Sequence, residues 1–97
     1  MIIVHDIFIC KPGNASKLAK LFKEVMSGNE ELVNIMTDLA GQYNKVVVVT
    51  QFESLSAFEK SWDKYKKDPE AMKKMSEKMA GYHDMYLTGS RELFQIS

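Results

Sequence analysis

The sequence predicts a single α+β domain, built as one four-stranded antiparallel sheet with helices packed on one of its faces. Four segments rich in β-branched residues are interleaved with two regions of helical apolar spacing, in the order strand, helix, strand, strand, helix, strand. The chain has 97 residues, which is enough for one hydrophobic core and too few for two. We therefore expect residues 1–97 to form one domain.

The first strand is predicted at residues 1–10, where isoleucine and valine run up to the turn signal Lys11-Pro12-Gly13. Side chains of a strand alternate between two faces, and here both faces are mostly apolar. One face carries Ile3, His5, Ile7 and Ile9, and the other carries Ile2, Val4, Asp6 and Phe8. Two apolar faces indicate that both sides of the sheet are covered.

The middle of the chain is predicted to hold one helix and two strands. The helix begins at Asn14 or Ser16, because both residue types cap helix N-termini. Residues 31–40 and 43–53 then form the second and third strands. The connection at residues 40–42 is short enough for an antiparallel hairpin.

The second helical region begins at Ser54 or Ser56 and is interrupted at Asp68-Pro69. Proline is tolerated at the start of a helix and poorly inside one. We therefore predict two separate helical segments rather than one kinked helix. The first carries an apolar stripe of Leu55, Phe58, Trp62 and Tyr65, and the second carries Met72, Met75 and Met79.

The last strand is predicted at residues 85–96, with Gly89 as a possible bulge. The resulting order, βαββαβ, is that of the ferredoxin-like fold, in which both helical regions lie on the same side of the sheet. The opposite face would expose Ile3, Ile7 and Ile9, and soluble monomers rarely tolerate so large an apolar patch. A second copy related by two-fold symmetry would cover it, so we expect a homodimer.

Charge and composition exclude several classes of partner. Lys plus Arg number 13 and Asp plus Glu number 13, and no long run has one sign, so nucleic acid and anionic membranes are not expected partners. The apolar runs are too short to span a bilayer and no leader precedes the first strand, so we expect a cytoplasmic protein. Cys10 is the single cysteine, and its expected role is that of a small buried hydrophobe. His5 and His83 lack metal-site spacing, so neither a metal nor another cofactor is predicted.

Four motifs occur in a characteristic order along the chain: Lys11-Pro12-Gly13, residues 44–55 (NKVVVVTQFESL), Asp68-Pro69 and Arg91-Glu92-Leu93. With them the chain resembles the dimeric α/β-barrel superfamily, most closely the NIPSNAP-like proteins and next the antibiotic-biosynthesis-monooxygenase-like branch. The resemblance implies a homodimer whose two sheets face each other, with a ligand pocket between the sheet and the helices of each subunit. It implies no particular reaction, because members of this fold include cofactor-independent monooxygenases, isomerases and proteins without known activity.

Asp6 is the first candidate for a catalytic residue, because its neighbours on the same strand face suggest that it points under the helices. A carboxylate in apolar surroundings must be paired or hydrogen-bonded, and such groups can serve as general bases. The alternative is a strand-edge carboxylate in contact with water or a lysine. His83, at the entry to the last strand, is the second catalytic candidate, and its alternative is a surface loop histidine.

The candidate ligand-binding residues are the large side chains expected between sheet and helices, together with one basic residue of the last strand: Phe8, Phe58, Trp62, Tyr65, Met75 and Arg91. Stripes of this kind are usually core, although a cavity lined by them would suit a flat apolar molecule. Arg91 could anchor a ligand carboxylate, but an ion pair with a neighbouring acid is commoner.

Two functions remain open from the sequence. One is a homodimer that binds a small apolar or aromatic molecule between sheet and helices, and the other is a cofactor-independent monooxygenase or isomerase in which Asp6 removes a proton. The third strand of NIPSNAP-like proteins usually carries a histidine, a tryptophan and a tyrosine where this chain has Val48, Thr50 and Phe52. Their absence favours the binding function, and the sequence does not decide whether the protein is an enzyme.

Overall fold

The chain folds as a four-stranded sheet with its helices on one side in the computed structural model, which describes residues 1–40 and 44–97. The elements are β1 (Ile2–Cys10), α1 (Ala15–Val25), β2 (Leu32–Thr37), β3 (Lys45–Phe52), α2 (Leu55–Lys66), α3 (Pro69–Lys78), a single 3₁₀ turn (Tyr82–Asp84) and β4 (Tyr86–Gln95). This order confirms the predicted ferredoxin-like arrangement. The hairpin connection predicted at residues 40–42 and the start of the third strand at residue 43 fall on positions 41–43, outside the described residues.

The sheet places β1 in the centre, between β3 and the edge strand β4. Its strand order is β2-β3-β1-β4, and every neighbouring pair is antiparallel. In this register Asp6 lies opposite Val48 on one side and Arg91 on the other. Directly opposite residues of neighbouring strands point to the same face of a sheet, so these three side chains share one face.

The core lies between α1 and the sheet. Leu18 and Phe22 of α1 are buried against Cys10, Val46 and other side chains of the same sheet face. Cys10 is only 2% exposed, which confirms the expected buried hydrophobe. Burial raises the pKa of its thiol, and the negative charge of Asp38 raises it further. The thiol is therefore kept in its unreactive protonated form.

The break between the two later helices is confirmed. Helix α2 begins after Ser54, whose Oγ accepts a hydrogen bond from the backbone N–H of Ala57 at 3.1 Å. Helix α3 begins at Pro69, and Oδ1 of Asp68 caps it by accepting from the N–H of Ala71 at 3.1 Å. Proline at this position needs no N–H partner and fixes the backbone for the first turn. None of the helices in the described part of the chain is long and apolar enough to cross a membrane.

The predicted bulge at Gly89 is wrong. Gly89 pairs regularly with Phe8, and the register shifts instead between Ile9 and Cys10, where Leu87 is the extra residue on β4. A Cβ added to Gly89 would lie 3.5 Å from Cδ1 of Phe8. That is an ordinary van der Waals distance, so the glycine is one position in a regular ladder and does not bend the strand.

The second face of the sheet carries no helix. Ile3, Ile7 and Ile9 of β1 are half-buried there, and Met36 and Phe94 on neighbouring strands are 41% and 48% exposed. A shallow cavity of about 320 Å³ lies on this face. It is lined by Ile7, Ile9, Lys45, Thr88, Gly89, Ser90 and Glu92. The apolar open face predicted from the alternation of β1 is therefore present.

Candidate functional site

Helix α2 covers its part of the sheet loosely. None of its residues Leu55–Lys66, all of which the structure describes, is buried, whereas α1 buries three. Trp62 is 38% exposed although it belongs to the apolar stripe of α2. The side chains of α2 that face the sheet are thus only partly buried, and we call the partly exposed surface that they form with the sheet the α2 cleft. We define it by Asp6, Phe52, Phe58, Trp62 and Arg91.

An aromatic row forms the α2 side of this cleft. The ring centroids of Phe52 and Phe58 are 5.2 Å apart, those of Phe58 and Trp62 are 6.5 Å apart, and those of Trp62 and Tyr65 are 6.2 Å apart. All three pairs meet edge to face, a preferred geometry for aromatic side chains. Phe58, Trp62 and Tyr65 therefore share one side of α2, as their spacing of four and three residues implies.

Arg91 connects β1 to this aromatic row. Its Nε donates a hydrogen bond to Oδ1 of Asp6 at 2.5 Å. Its Cζ lies 4.9 Å from the ring centroid of Trp62 and 5.8 Å from that of Phe58, so the guanidinium stacks on both rings. Of the two roles open to Arg91 in the sequence, the ion pair with a neighbouring acid is the one that the structure contains.

The sequence predicts that the Asp6 carboxylate lies in apolar surroundings, whereas in the structure it is paired and partly exposed to solvent. The Asp6 side chain is 24% exposed and that of Arg91 is 42% exposed, because β4 is an edge strand and α2 packs loosely over it. Asp6 and Trp62 do belong to one cleft, but they are linked through Arg91. The side chain of Arg91 thus lies between them, at the position where the sequence predicts a cavity. A cavity of about 420 Å³ lies outside the α2 cleft, lined by Lys60, Asp63, Lys64, Lys67 and Asp68.

His83 lies at the other end of the sheet face. Its Nδ1 is 3.3 Å from the hydroxyl of Tyr86, and its ring centroid is 4.0 Å from that of Tyr82. Burial raises the pKa of Tyr82, and the nearby hydroxyls of Tyr86 and Tyr65 raise it further. Tyr86 pairs with Cys10, four residues along β1 from Asp6, a distance of about 14 Å. The structure therefore does not bring the two catalytic candidates together.

Two of the ligand-binding candidates belong to the core. The ring of Phe8 lies 5.1 Å from that of Phe22 in α1 and 5.1 Å from that of Tyr86. Met75 is partly buried and packs against the same core cluster. Both side chains thus pack in the core that α1 and α3 form with the sheet, and neither belongs to the α2 cleft. Phe58, Trp62, Tyr65 and Arg91 are the candidates that the structure brings together.

The third strand supplies the floor of the cleft. Val48, Thr50 and Phe52 all point to the helix-covered face, and Val48 and Thr50 are buried. Phe52 contacts Phe58, a role that sequence reasoning missed because the residue was noted only as a departure from a family pattern. Across residues 1–40 and 44–97, no group of three or more His, Cys, Asp or Glu side chains is placed to hold a metal ion.

Comparison with protein families identifies the chain. The family model for NIPSNAP matches residues 7–86. The chain belongs to the NIPSNAP family. The match includes all of α2 and stops short of both Asp6 and Arg91, so family membership says nothing of their ion pair. No curated protein matches the chain.

Solved structures share the fold of this NIPSNAP-family chain. An uncharacterized NIPSNAP domain protein from Burkholderia xenovorans has a TM-score of 0.80 at 12% identity, covering 100% of this chain and 95% of that one. A protein from Agrobacterium tumefaciens has a TM-score of 0.77 at 18% identity, with 100% and 94% covered. A putative antibiotic biosynthesis monooxygenase from Deinococcus radiodurans has a TM-score of 0.61 at 12% identity, with 100% and 93% covered. At these identities the likeness concerns the fold alone.

Proposed function

We propose that the protein is a homodimer in which each subunit binds a small apolar or aromatic molecule in the α2 cleft. The observation that carries the ligand proposal is the half-exposed aromatic row of α2, which faces a charged pair on the sheet. Ligand sites are typically apolar concavities with a few polar groups that orient the ligand. The α2 cleft has this composition, with Phe58 and Trp62 as apolar surface and Arg91 as the polar group.

Binding there would remove from water a tryptophan that the folded chain leaves 38% exposed. Burial of apolar surface contributes about 25 cal/mol per Å² of free energy, and a planar ligand can cover one whole ring face. The core under α1 offers no such gain, because its large side chains are already buried. The cleft is thus the part of the helix-covered face where a ligand gains most.

Two aromatic probes of matched shape, 2-naphthamide and 2-naphthoate, test this proposal. Trp62 is the single tryptophan of the chain, so its indole N–H gives one NMR signal that reports directly on the cleft. We expect at least one probe to shift this signal, and we expect Trp62→Ala to weaken its binding about tenfold or more, since an aromatic contact is lost. Leu55→Ala, at a 55% exposed position of the same helix, is the control. Unchanged binding by Trp62→Ala would place the ligand elsewhere.

The dimer proposal rests on the helix-free face of the sheet. Four strands spaced about 4.8 Å apart, with lengths of 9, 6, 8 and 10 residues at about 3.4 Å each, give a face of roughly 500 Å² in projection. A standard interface buries about 800 Å² on each partner, so the two faces match in scale. Sedimentation at micromolar concentration should give a dimer. Ile7→Lys should yield a monomer, whereas Leu55→Lys on the exposed side of α2 should not.

The alternative function is that of a cofactor-independent monooxygenase or isomerase, with Asp6 as the general base. It is favoured by the position of Asp6 in the α2 cleft, where its side chain is 24% exposed and is joined to Trp62 through Arg91. An oxygen electrode with a panel of quinols tests the oxygenase version. Uptake should be lost in Asp6→Asn and retained in His83→Ala, because His83 lies outside the cleft. Uptake that survives Asp6→Asn would remove Asp6 from the reaction.

We also propose a cytoplasmic location without a nucleic-acid partner. The equal numbers of basic and acidic residues support the second part, the lack of a nucleic-acid partner. Fractionation of cells, followed by a nucleic-acid filter-binding assay at 50 mM salt, tests it. Retention of DNA or RNA at that salt concentration would contradict the second part.

A further inference from the structure

We propose that the molecule bound in the α2 cleft is an aromatic carboxylic acid, with its carboxylate on Arg91 and its flat apolar part on the aromatic row. This inference rests on the proposed function and adds to it the chemical class of the ligand. It makes Arg91, the single arginine of the chain, the residue that determines specificity. Asp6 then becomes a positioning residue, because it holds the guanidinium and does not contact the ligand.

The first argument is the unused hydrogen-bonding capacity of Arg91. A guanidinium has five N–H donors. Among the hydrogen bonds and ion pairs of the described residues, Arg91 uses only Nε, toward Oδ1 of Asp6. Its side chain is 42% exposed, so the four N–H groups of Nη1 and Nη2 can reach a ligand. Two of them form the parallel pair that binds a carboxylate with two hydrogen bonds.

The second argument is that the guanidinium is already held in place. Asp6 fixes its Nε edge, and the rings of Trp62 and Phe58, at 4.9 and 5.8 Å from Cζ, fix its plane. A flexible side chain normally loses rotamer freedom when it binds, at a cost of about 0.5–1.5 kcal/mol. A guanidinium that is ordered before the ligand arrives loses less. Ordering of this kind lowers the free-energy cost of binding a carboxylate at Arg91.

The third argument concerns the shape of the ligand. The aromatic row continues past the guanidinium from Trp62 to Tyr65, and Trp62 is 38% exposed, so a carboxylate on Arg91 leaves its attached group beside a partly exposed aromatic surface. A planar aromatic group matches this surface better than a branched aliphatic chain, because stacking needs a flat partner. Arg91 is the basic residue among the five that define the cleft, and its Nη1–Nη2 edge presents one site for a carboxylate. A ligand with one carboxylate therefore fits better than a diacid.

The opposite charges of Asp6 and Arg91 lead to the most specific prediction for ligand binding. In the unliganded cleft the charges of Asp6 and Arg91 cancel, so a bound carboxylate brings an uncompensated negative charge. Asp6→Asn removes that repulsion, while the Oδ1 of asparagine can still accept the hydrogen bond from Nε. An acidic ligand should therefore bind more tightly to Asp6→Asn than to the unmodified protein. A neutral ligand should show little change.

The experiment is isothermal titration calorimetry of the full chain at pH 7, with 2-naphthoate and its neutral isostere 2-naphthamide. We expect 2-naphthoate to bind about tenfold more tightly than the amide, which corresponds to about 1.4 kcal/mol. Asp6→Asn should tighten binding of the acid by roughly threefold or more, since one repelling charge near the surface is lost. Arg91→Gln should abolish the preference for the acid. Raising the salt concentration should weaken binding of the acid alone, because the cleft is open to solvent.

The outcomes separate this inference from the proposed function. If both probes bind equally and Trp62→Ala weakens both, the cleft binds ligands but the acid assignment is wrong. If neither probe binds, the inference and the proposed function are both wrong. Weaker binding of the acid to Asp6→Asn would overturn the charge argument, because the loss of Asp6 as the partner that holds the guanidinium would then outweigh the loss of its repulsion. The comparison of acid with amide on the unmodified protein needs no variant, so a poorly folded Arg91→Gln cannot obscure it.

Discussion

The helices α1 and α2 lie on the same face of one sheet, but they differ in how much of their surface they bury against it. Helix α1 buries Leu18, Ala19 and Phe22 against the strands, whereas no residue in Leu55–Lys66 of α2, a fully described helix, is buried. Both carry an apolar stripe of comparable length. The difference indicates that packing of α1 contributes more to the stability of the domain than packing of α2 does. Helix α2 instead leaves an aromatic surface available for another molecule.

The largest expected effect comes from truncating the α1 side. Leu18 is fully buried, so Leu18→Ala should lower the free energy of unfolding by about 2–5 kcal/mol through lost burial and a residual cavity. The matched change Leu55→Ala on α2 should stay within about 0.5 kcal/mol. Urea denaturation at one fixed protein concentration measures both. Equal losses at the two positions would remove the distinction between the helices.

An intermediate effect is expected from pH, through the buried thiol of Cys10. Its pKa is raised in the folded state, so the folded protein holds the proton more tightly than the unfolded chain does. This contribution to stability is complete below the unfolded thiol value of about 8.5, and it is lost as pH rises through the higher folded value. Cys10→Ala should show a smaller decline in unfolding free energy between pH 8 and pH 10. If Cys10→Ala and the unmodified protein declined equally, the pH dependence would come from other groups, such as Tyr82, whose pKa is also raised.

A smaller effect on stability is expected from the charged pair of the cleft. Asp6 and Arg91 are partly exposed, so Asp6→Asn should change the free energy of unfolding by less than about 1 kcal/mol. The same variant should alter binding of 2-naphthoate clearly. A change in stability without a change in binding would mean that the pair serves only to hold β4 beside β1.

The parts of this fold that the sequence predicts correctly are those that depend on local patterns. The alternation in residues 1–10 predicts both faces of β1, and Asp68-Pro69 predicts the helix break, because each signal depends on neighbouring residues alone. The bulge lies at Leu87 and not at Gly89, because its position follows from the pairing of β4 with β1. The local pattern of residues 85–96 does not contain that cross-strand register.

The sequence predicts the candidate site only in part, again because the contacts depend on how the strands pair. Asp6 and Arg91 were both singled out, but their contact joins positions 85 residues apart and depends on the pairing of β1 with β4. The stripe Phe58, Trp62 and Tyr65 resembles that of a buried helix, so its periodicity gave no sign that α2 packs loosely. Tyr82 and Tyr86 were missed as partners of His83, although their spacing around the turn at Gly81 was visible.

Hydrogen exchange followed by mass spectrometry, with and without 2-naphthoate, tests the central claim most directly. In the free protein we expect the amides of α2 to exchange faster than those of α1, because local opening is easier where few side chains are buried. Saturation with 2-naphthoate should slow exchange in α2 and leave α1 unchanged. Equal protection of the two helices in the free protein, or protection by the ligand that appears in α1 and not in α2, would contradict the account.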